Sequence, residues 1–150
     1  MPDEPMSTSK LLEGIFKTES IQKFIRRNSG HMVLEPFKMR INRMCASKGM
    51  VPERIIAKAG IERTYGHQIF NGLRNPSRDK VLQLAVGFGL GYDEAQALLK
   101  IAGKSSLYPK VDRDAVVIFS LERKLAITDV QAILEELSLP LLGTEDRYGR

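Results

Sequence analysis

The chain has 150 residues, 43% of them apolar and 27% charged, which is the balance of an ordinary globular protein with one core. Its 23 Lys and Arg exceed its 18 Asp and Glu, giving a formal net charge of +5. No apolar run is long enough for a membrane span, and we expect no secretory signal behind the polar N-terminus. The single cysteine, Cys45, excludes an internal disulfide and favours a reducing, cytoplasmic location.

Apolar residues recur at helical spacing along the chain and strand signals are nearly absent, so the predicted fold class is all-α. Residues 1–8 are expected to form a flexible tail. In chain order, the stretches predicted to be helical are 9–17, 19–28, 35–49, 52–60, 62–72, 77–89, 92–103, 112–124 and 128–137. Short connections between about nine helices predict a compact bundle.

Helix-end signals support these boundaries: prolines for first turns, glycines just past C-terminal ends and hydroxyl residues as N-caps. They are Pro36 and Pro52, Gly49 and Gly60, and Ser77 and Thr128. The domain organisation that we predict has three parts. Residues 1–30 form an N-terminal tail with short helices, 31–103 a helical core, and 104–150 a helical extension packed on that core.

Positive charge is concentrated in residues 38–80, which contain ten Lys or Arg and only three acidic residues. A basic segment inside an otherwise acidic chain favours a polyanionic partner. Charge alone leaves open the alternative of a merely solvated basic face.

Within this basic segment, residues 52–72 read as two short helices joined at a glycine. This is the sequence form of a helix-turn-helix, whose second helix lies in the DNA major groove. Polar side chains fall on one face of the second helix and are predicted to contact bases: Arg63, Thr64, His67 and Gln68. Side chains near the helix exit and the next helix are predicted to contact phosphates: Asn71, Arg74, Arg78 and Lys80.

The opposite face of the second helix is predicted to face the protein interior. It comprises Ile61, Tyr65, Gly66, Ile69 and Leu73. A glycine inside a helix costs roughly 1 kcal/mol of propensity. We expect Gly66 to offset that cost by letting the helix pack closely on its neighbour; a kink at Gly66 is the alternative.

Residues 37–101 resemble the Xre/Cro/phage-repressor family of five-helix DNA-binding domains. The resemblance is carried by KG at 48–49, ERIIAKAGI at 53–61, RTYGHQIFNG at 63–72 and LRNPSRDKVLQLAVGFGL at 73–90. The RTYGHQIF and PSRDK stretches are also similar to those of a subgroup of small bacterial proteins. The resemblance implies a repressor-like helix-turn-helix core with extra helices at both ends, double-stranded DNA as partner, and a bacterial or phage transcription regulator that forms homodimers.

The chain departs from the family at the start of the first helix of the motif. Val51 and Pro52 stand where the family has a Ser or Thr cap followed by a phosphate-contacting Gln. The alternative function is therefore a protein-interaction adaptor that keeps the fold without specific DNA binding and uses its flanking helices. Catalysis has little support, since the only histidines are His31 and His67 and no cofactor or metal-ligand pattern is present.

Overall fold

A computed structural model of the chain describes residues 6–32 and 35–144. Within those ranges the chain is all-helical, without strands, as predicted. In chain order its α-helices are α1 (Thr8–Lys17), α2 (Ile21–Asn28), α3 (Phe37–Lys48), α4 (Pro52–Lys58), α5 (Arg63–Phe70), α6 (Arg78–Phe88), α7 (Tyr92–Ile101), α8 (Asp112–Glu122) and α9 (Ile127–Glu136). None of these helices is long and apolar enough to cross a bilayer.

The chain forms two compact units, residues 1–34 and 35–150. The first unit contains α1, α2 and a 3₁₀ turn at Ser29–His31. Its helices meet at Gly14, where an added Cβ would lie 2.6 Å from Cε2 of Phe24. Residues 1–5 of the predicted tail lie outside the described residues, and α1 already begins at Thr8.

The second unit is built around α6, which packs against α4, α7, α8 and α9. Every residue of α6 from Val81 to Phe88 is buried. A helix that is apolar on nearly all sides must be surrounded by others, and VLQLAVGF has that composition. The helices after residue 104 thus contribute to the same core as α3–α7, with Val117, Val130 and Leu134 fully buried.

Several predicted helix ends are confirmed. Gly49 follows α3 in the left-handed conformation at φ +64°, and Pro52 occupies the first turn of α4. The hydroxyl of Ser77 accepts a bond from the Lys80 N–H and caps α6. Cys45 is buried, and its burial raises the pKa of the thiol.

The predicted N-cap at Thr128 is wrong. Helix α9 begins one residue earlier, at Ile127, and Ala126 is the capping position without a side-chain bond. The Ala126 carbonyl accepts from the N–H groups of Asp129 and Val130, which places Thr128 inside the first turn. Ile127 is half-buried and packs on the core beside Gly60, and this packing favours the earlier start over capping by the hydroxyl.

Two Arg-Asp dipeptides connect the N-terminal turns of α6 and α8. Arg78 of α6 donates to both carboxylate oxygens of Asp114, at 3.1 and 2.9 Å. Arg113 of α8 donates in the same two-pronged way to Asp79, at 2.9 Å for each bond. The two pairs are reciprocal, and the Asp79 side chain is fully buried. We refer to these four residues as the Arg–Asp cluster.

Candidate nucleic-acid interface

Helices α4 and α5 are joined by a turn at residues 59–62. Gly60 adopts φ +69°, a left-handed conformation that favours glycine. Gln83 of α6 lies beneath the turn, and its side-chain amide donates to the carbonyls of Ala59 (3.2 Å) and Gly60 (3.3 Å). The turn is therefore attached to α6 by side-chain bonds as well as by the packing of α4 on α6.

The predicted inward orientation of Gly66 is confirmed. Gly66 is buried in the middle of α5, and a Cβ there would lie 2.4 Å from Cγ2 and 2.7 Å from Cγ1 of Ile56. Only a residue without a side chain allows α5 to approach α4 this closely. Helix α5 runs unbroken through this position, so the glycine acts as a packing site.

The expectation that Leu73 faces inward is wrong, because 75% of its surface is exposed. Helix α5 ends at Phe70, and the Asn71 side chain accepts a bond from the Leu73 N–H. The chain then turns at Gly72 with φ +84°. Helical spacing therefore no longer applies at residue 73.

Glu62 caps the N-terminus of α5. Its two carboxylate oxygens accept bonds from the N–H groups of Thr64 (2.9 Å) and Tyr65 (2.8 Å). The bonds from Tyr65 and Thr64 lower the pKa of the carboxyl below its usual range. Sequence reasoning did not identify this residue, although an acidic side chain just before a helix was a usable signal.

The four predicted base-contacting residues share α5 but differ in exposure. Arg63 and Thr64 are exposed near the N-terminus of the helix, and His67 and Gln68 are half-buried. Arg63 forms an ion pair with Glu53 of α4, with Nε 2.6 Å from Oε1. Both partners are well exposed, at 75% and 58% of their side-chain surface. An incoming ligand can replace that pair at low cost, because exposed ion pairs contribute only about 0–1 kcal/mol.

Three of the predicted phosphate-contacting residues lie close to α5. Asn71 and Arg74 are exposed, and Arg74 donates through Nε to the Gln68 side chain. The Arg74 guanidinium lies 4.9 Å from the centre of the Tyr65 ring, and the Lys80 ammonium lies 5.4 Å from the same ring. Two cations therefore lie against the Tyr65 ring near the C-terminal end of α5.

Arg78, the fourth predicted phosphate-contacting residue, lies in the Arg–Asp cluster. Besides Asp114, it donates to the backbone carbonyls of Ser105 and Ser106, each at 3.0 Å. Only 20% of its side-chain surface is exposed. A phosphate contact by Arg78 would require these protein bonds to break. The partner Asp114 lies 36 residues away in sequence, and no local pattern indicated it.

A cleft of about 320 Å³ lies between the start of α3 and the loop after α5. Lys38 and Arg74 line it together with Asn75 and Pro76. The cleft adds Lys38, from a different helix, to the cations beside α5. Among residues 6–32 and 35–144, no group of three or more His, Cys, Asp or Glu side chains is placed to hold a metal ion.

Comparison with protein-family models, with curated proteins and with solved structures found no match to this chain.

Proposed function

We propose that the protein is a bacterial transcription regulator that acts in the cytoplasm and binds double-stranded DNA through α4 and α5. In this proposal α3–α7 form the five-helix core of a repressor-like domain. Helix α5 is the recognition helix and enters the major groove with its N-terminal end leading. The main observation that supports the proposal is the exposed face at the N-terminal end of α5, where Arg63 and Thr64 lie side by side. The opposite face of α5 packs closely on α4 at Gly66.

The chemistry of that face suits base edges. Arg63 can donate a forked pair of bonds to guanine O6 and N7, and Gln68 can bond adenine N6 and N7. Thr64 can contact a thymine methyl group, and His67 can donate to a base or a phosphate. To contact a base, Arg63 would have to break its ion pair with Glu53. Breaking this pair costs little free energy because both side chains are exposed.

The surroundings of α5 suit a phosphate backbone. Arg74 and Lys80 lie against the Tyr65 ring, and Asn71 is exposed at the C-terminal end of α5. Backbone contacts of this kind fix the register of a protein on the duplex without reading sequence. We assign Arg74, Asn71 and Lys80 this role ahead of Arg78, whose guanidinium already holds Asp114 and two carbonyls.

One recognition helix reads only a few base pairs, so we further propose that the regulator binds as a homodimer. Two copies would occupy half-sites about one helical turn, roughly 34 Å, apart on a palindromic operator. The helices α8 and α9 are the first candidates for the surface between the copies.

The second candidate function is a protein-interaction adaptor that keeps the fold without reading DNA. Two observations favour it. Glu62 places a carboxylate at the N-terminus of α5, where a DNA phosphate would otherwise be attracted. Val51 caps α4 without a side-chain bond, and Pro52 in the first turn has no N–H to offer a phosphate.

Selection from a randomised duplex pool distinguishes the two functions. The proposed regulator enriches a palindromic motif, and Gln68→Ala or Arg63→Ala relaxes the preference at one position of each half-site by ~1–3 kcal/mol. Lys100→Ala, on the exposed surface of α7, serves as the matched control and leaves the motif unchanged. If no motif is enriched and binding depends only on salt, the regulator function is contradicted. The adaptor is then the remaining candidate function.

A further inference from the structure

The Arg–Asp cluster also attaches the C-terminal segment to α6. Arg113 donates to the backbone carbonyls of Pro140 (2.8 Å) and Leu141 (2.7 Å) in addition to Asp79. Asp79 in turn accepts a bond of 2.7 Å from the Gly143 N–H. The chain after α9 is therefore held at the N-terminal turn of α6 by one guanidinium and one carboxylate.

The same turn of α6 reaches the helix-turn-helix. Asp79 and Gln83 are four residues apart, so they lie on one side of α6. Gln83 donates to both carbonyls of the turn between α4 and α5, at Ala59 and Gly60. Lys80, in the same turn between Asp79 and Gln83, donates to the Gln83 side chain at 3.3 Å and lies over the Tyr65 ring of α5.

A continuous set of bonds thus runs from the C-terminal segment to the start of the recognition helix. Its steps are the carbonyls at 140 and 141, Arg113, Asp79, one turn of α6, Gln83 and the turn at 59–60. Each side-chain step is buried or mostly buried, where hydrogen bonds are least weakened by water. Sites that must hold a precise geometry depend on such support behind the contacting residues.

We propose that Asp79 and Arg113 are positioning residues for α5. Through its bonds to these two side chains, the segment at 140–143 also helps to fix the position of α5. Loosening the pair lets the N-terminal turn of α6 shift, and Gln83 then holds the turn at 59–62 less firmly. The DNA-binding consequence rests on the proposed function. The mechanical consequence for α5 does not depend on it.

Hydrogen exchange of single amides tests the mechanical link in the full-length protein. The reporters are Ile61, bonded to the Ile56 carbonyl, and Gly66, bonded to the Glu62 carbonyl. Ala95, bonded to the Gly91 carbonyl past the other end of α6, is the internal reference. Arg113→Lys keeps the positive charge but loses the two-pronged geometry. It should accelerate exchange at Ile61 and Gly66 roughly tenfold more than at Ala95.

Two further variants separate positioning from general destabilisation. Glu53→Gln breaks the exposed pair on the face of α5 and should leave the ratio of reporter to reference exchange unchanged. Gln83→Met removes the donor to the turn at similar volume. In the Gln83→Met background, Arg113→Lys should produce no further selective acceleration at Ile61. If Arg113→Lys does not fold, Gln83→Met alone interrupts the same path one step later and should itself accelerate exchange at Ile61 selectively over Ala95.

Equal acceleration of Ile61, Gly66 and Ala95 in the Lys variant would overturn the proposal, because the cluster would then support only global stability. DNA binding provides the second arm. With the duplex selected by the wild type, Arg113→Lys should lower affinity roughly tenfold, whereas Lys100→Ala on the exposed surface of α7 should leave it unchanged. Failure of the wild type to bind DNA would refute the proposed function, while the exchange ratios would still decide the positioning role.

Discussion

Two Arg–carboxylate pairs in this protein have the same chemistry but different surroundings. Arg63 and Glu53 meet at 2.6 Å on the surface of α4 and α5, with 75% and 58% of their side chains exposed. Arg113 and Asp79 meet at 2.9 Å between α8 and α6, with 17% and 0% exposed. The shorter contact is the more easily replaced, because water and ions compensate exposed partners and cannot reach buried ones.

This difference divides the basic segment at 38–80 into two kinds of arginine. Arg63 and Arg74 remain open to a ligand, whereas Arg78 is enclosed by Asp114 and backbone carbonyls. Positive charge counted along a sequence overstates what a polyanion can reach. Exposure and partners decide which charges are available to it.

The largest expected effect is on the buried pair. Asp79→Asn leaves the Arg113 charge without its counter-charge in a buried place, and we expect a loss of about 3–5 kcal/mol in the free energy of unfolding. Urea denaturation followed by circular dichroism measures it. Glu53→Gln is the control, and its stability should change by less than about 1 kcal/mol. An equal loss of unfolding free energy in the two variants would show that burial does not distinguish the two ion pairs.

The next-largest expected effect concerns the packing of α5 on α4. Gly66→Ala forces a Cβ to within 2.4 Å of Ile56, which we expect to cost about 1–3 kcal/mol of stability. The better helix propensity of alanine offsets up to ~1 kcal/mol of that strain. Thermal unfolding measures the balance. Gly30→Ala, where an added Cβ meets nothing within 4 Å, is the matched control and should change little.

A double-mutant cycle sharpens that prediction. Ile56→Ala should cost less in the Gly66→Ala protein than in the wild type, because it removes the atoms that the new methyl group strikes. Additive costs would show that the two side chains do not meet.

A smaller effect is expected when the exposed pair is opened. Glu53→Gln releases Arg63 and removes a negative charge from the proposed DNA-facing surface. Non-specific affinity for duplex DNA should rise modestly, and the rise should shrink as salt increases. Fluorescence anisotropy at two ionic strengths measures it. A fall in affinity would mean that Glu53 is needed to hold Arg63 in its binding orientation.

The smallest effect concerns pH. Bonds from the Tyr65 and Thr64 N–H groups lower the pKa of Glu62 in the folded protein. Its stabilising contribution is therefore fully present above the ordinary carboxyl pKa and is lost as the pH falls through the lowered folded value. Melting temperatures measured on acidification should fall less steeply for Glu62→Gln than for the wild type. Parallel curves would contradict the capping role.

Local signals in the sequence predicted much of the fold. Pro52, Gly49 and Ser77 mark helix ends through backbone requirements that act within one turn, and the structure confirms them. The inward position of Gly66 followed from helical spacing and is also confirmed. The predicted N-cap at Thr128 is wrong because the packing of the half-buried Ile127 outweighed the capping preference of a hydroxyl.

The Arg–Asp cluster could not be predicted in this way. Its partners lie 34 and 36 residues apart, and neither the helical period nor a turn signature relates them. Arg-Asp at 78–79 and at 113–114 is an ordinary dipeptide until the fold brings α6 and α8 together. For Arg78, sequence shows the charge but not the enclosure by Asp114 and two backbone carbonyls, and its phosphate contact remains a prediction. The contacts of Arg63, Thr64, His67 and Gln68 with DNA bases remain predictions.

The most direct test is the salt dependence of binding to the duplex selected by the wild type, with Arg63→Ala and Arg78→Lys measured beside it at a temperature where all three are folded. We expect a linear log–log plot for each protein. Arg63→Ala should lower the preference for the selected sequence over a scrambled one, and Arg78→Lys should keep that preference at reduced affinity. Absence of wild-type binding even at low salt would contradict DNA binding through α5, as would loss of sequence preference in Arg78→Lys alone.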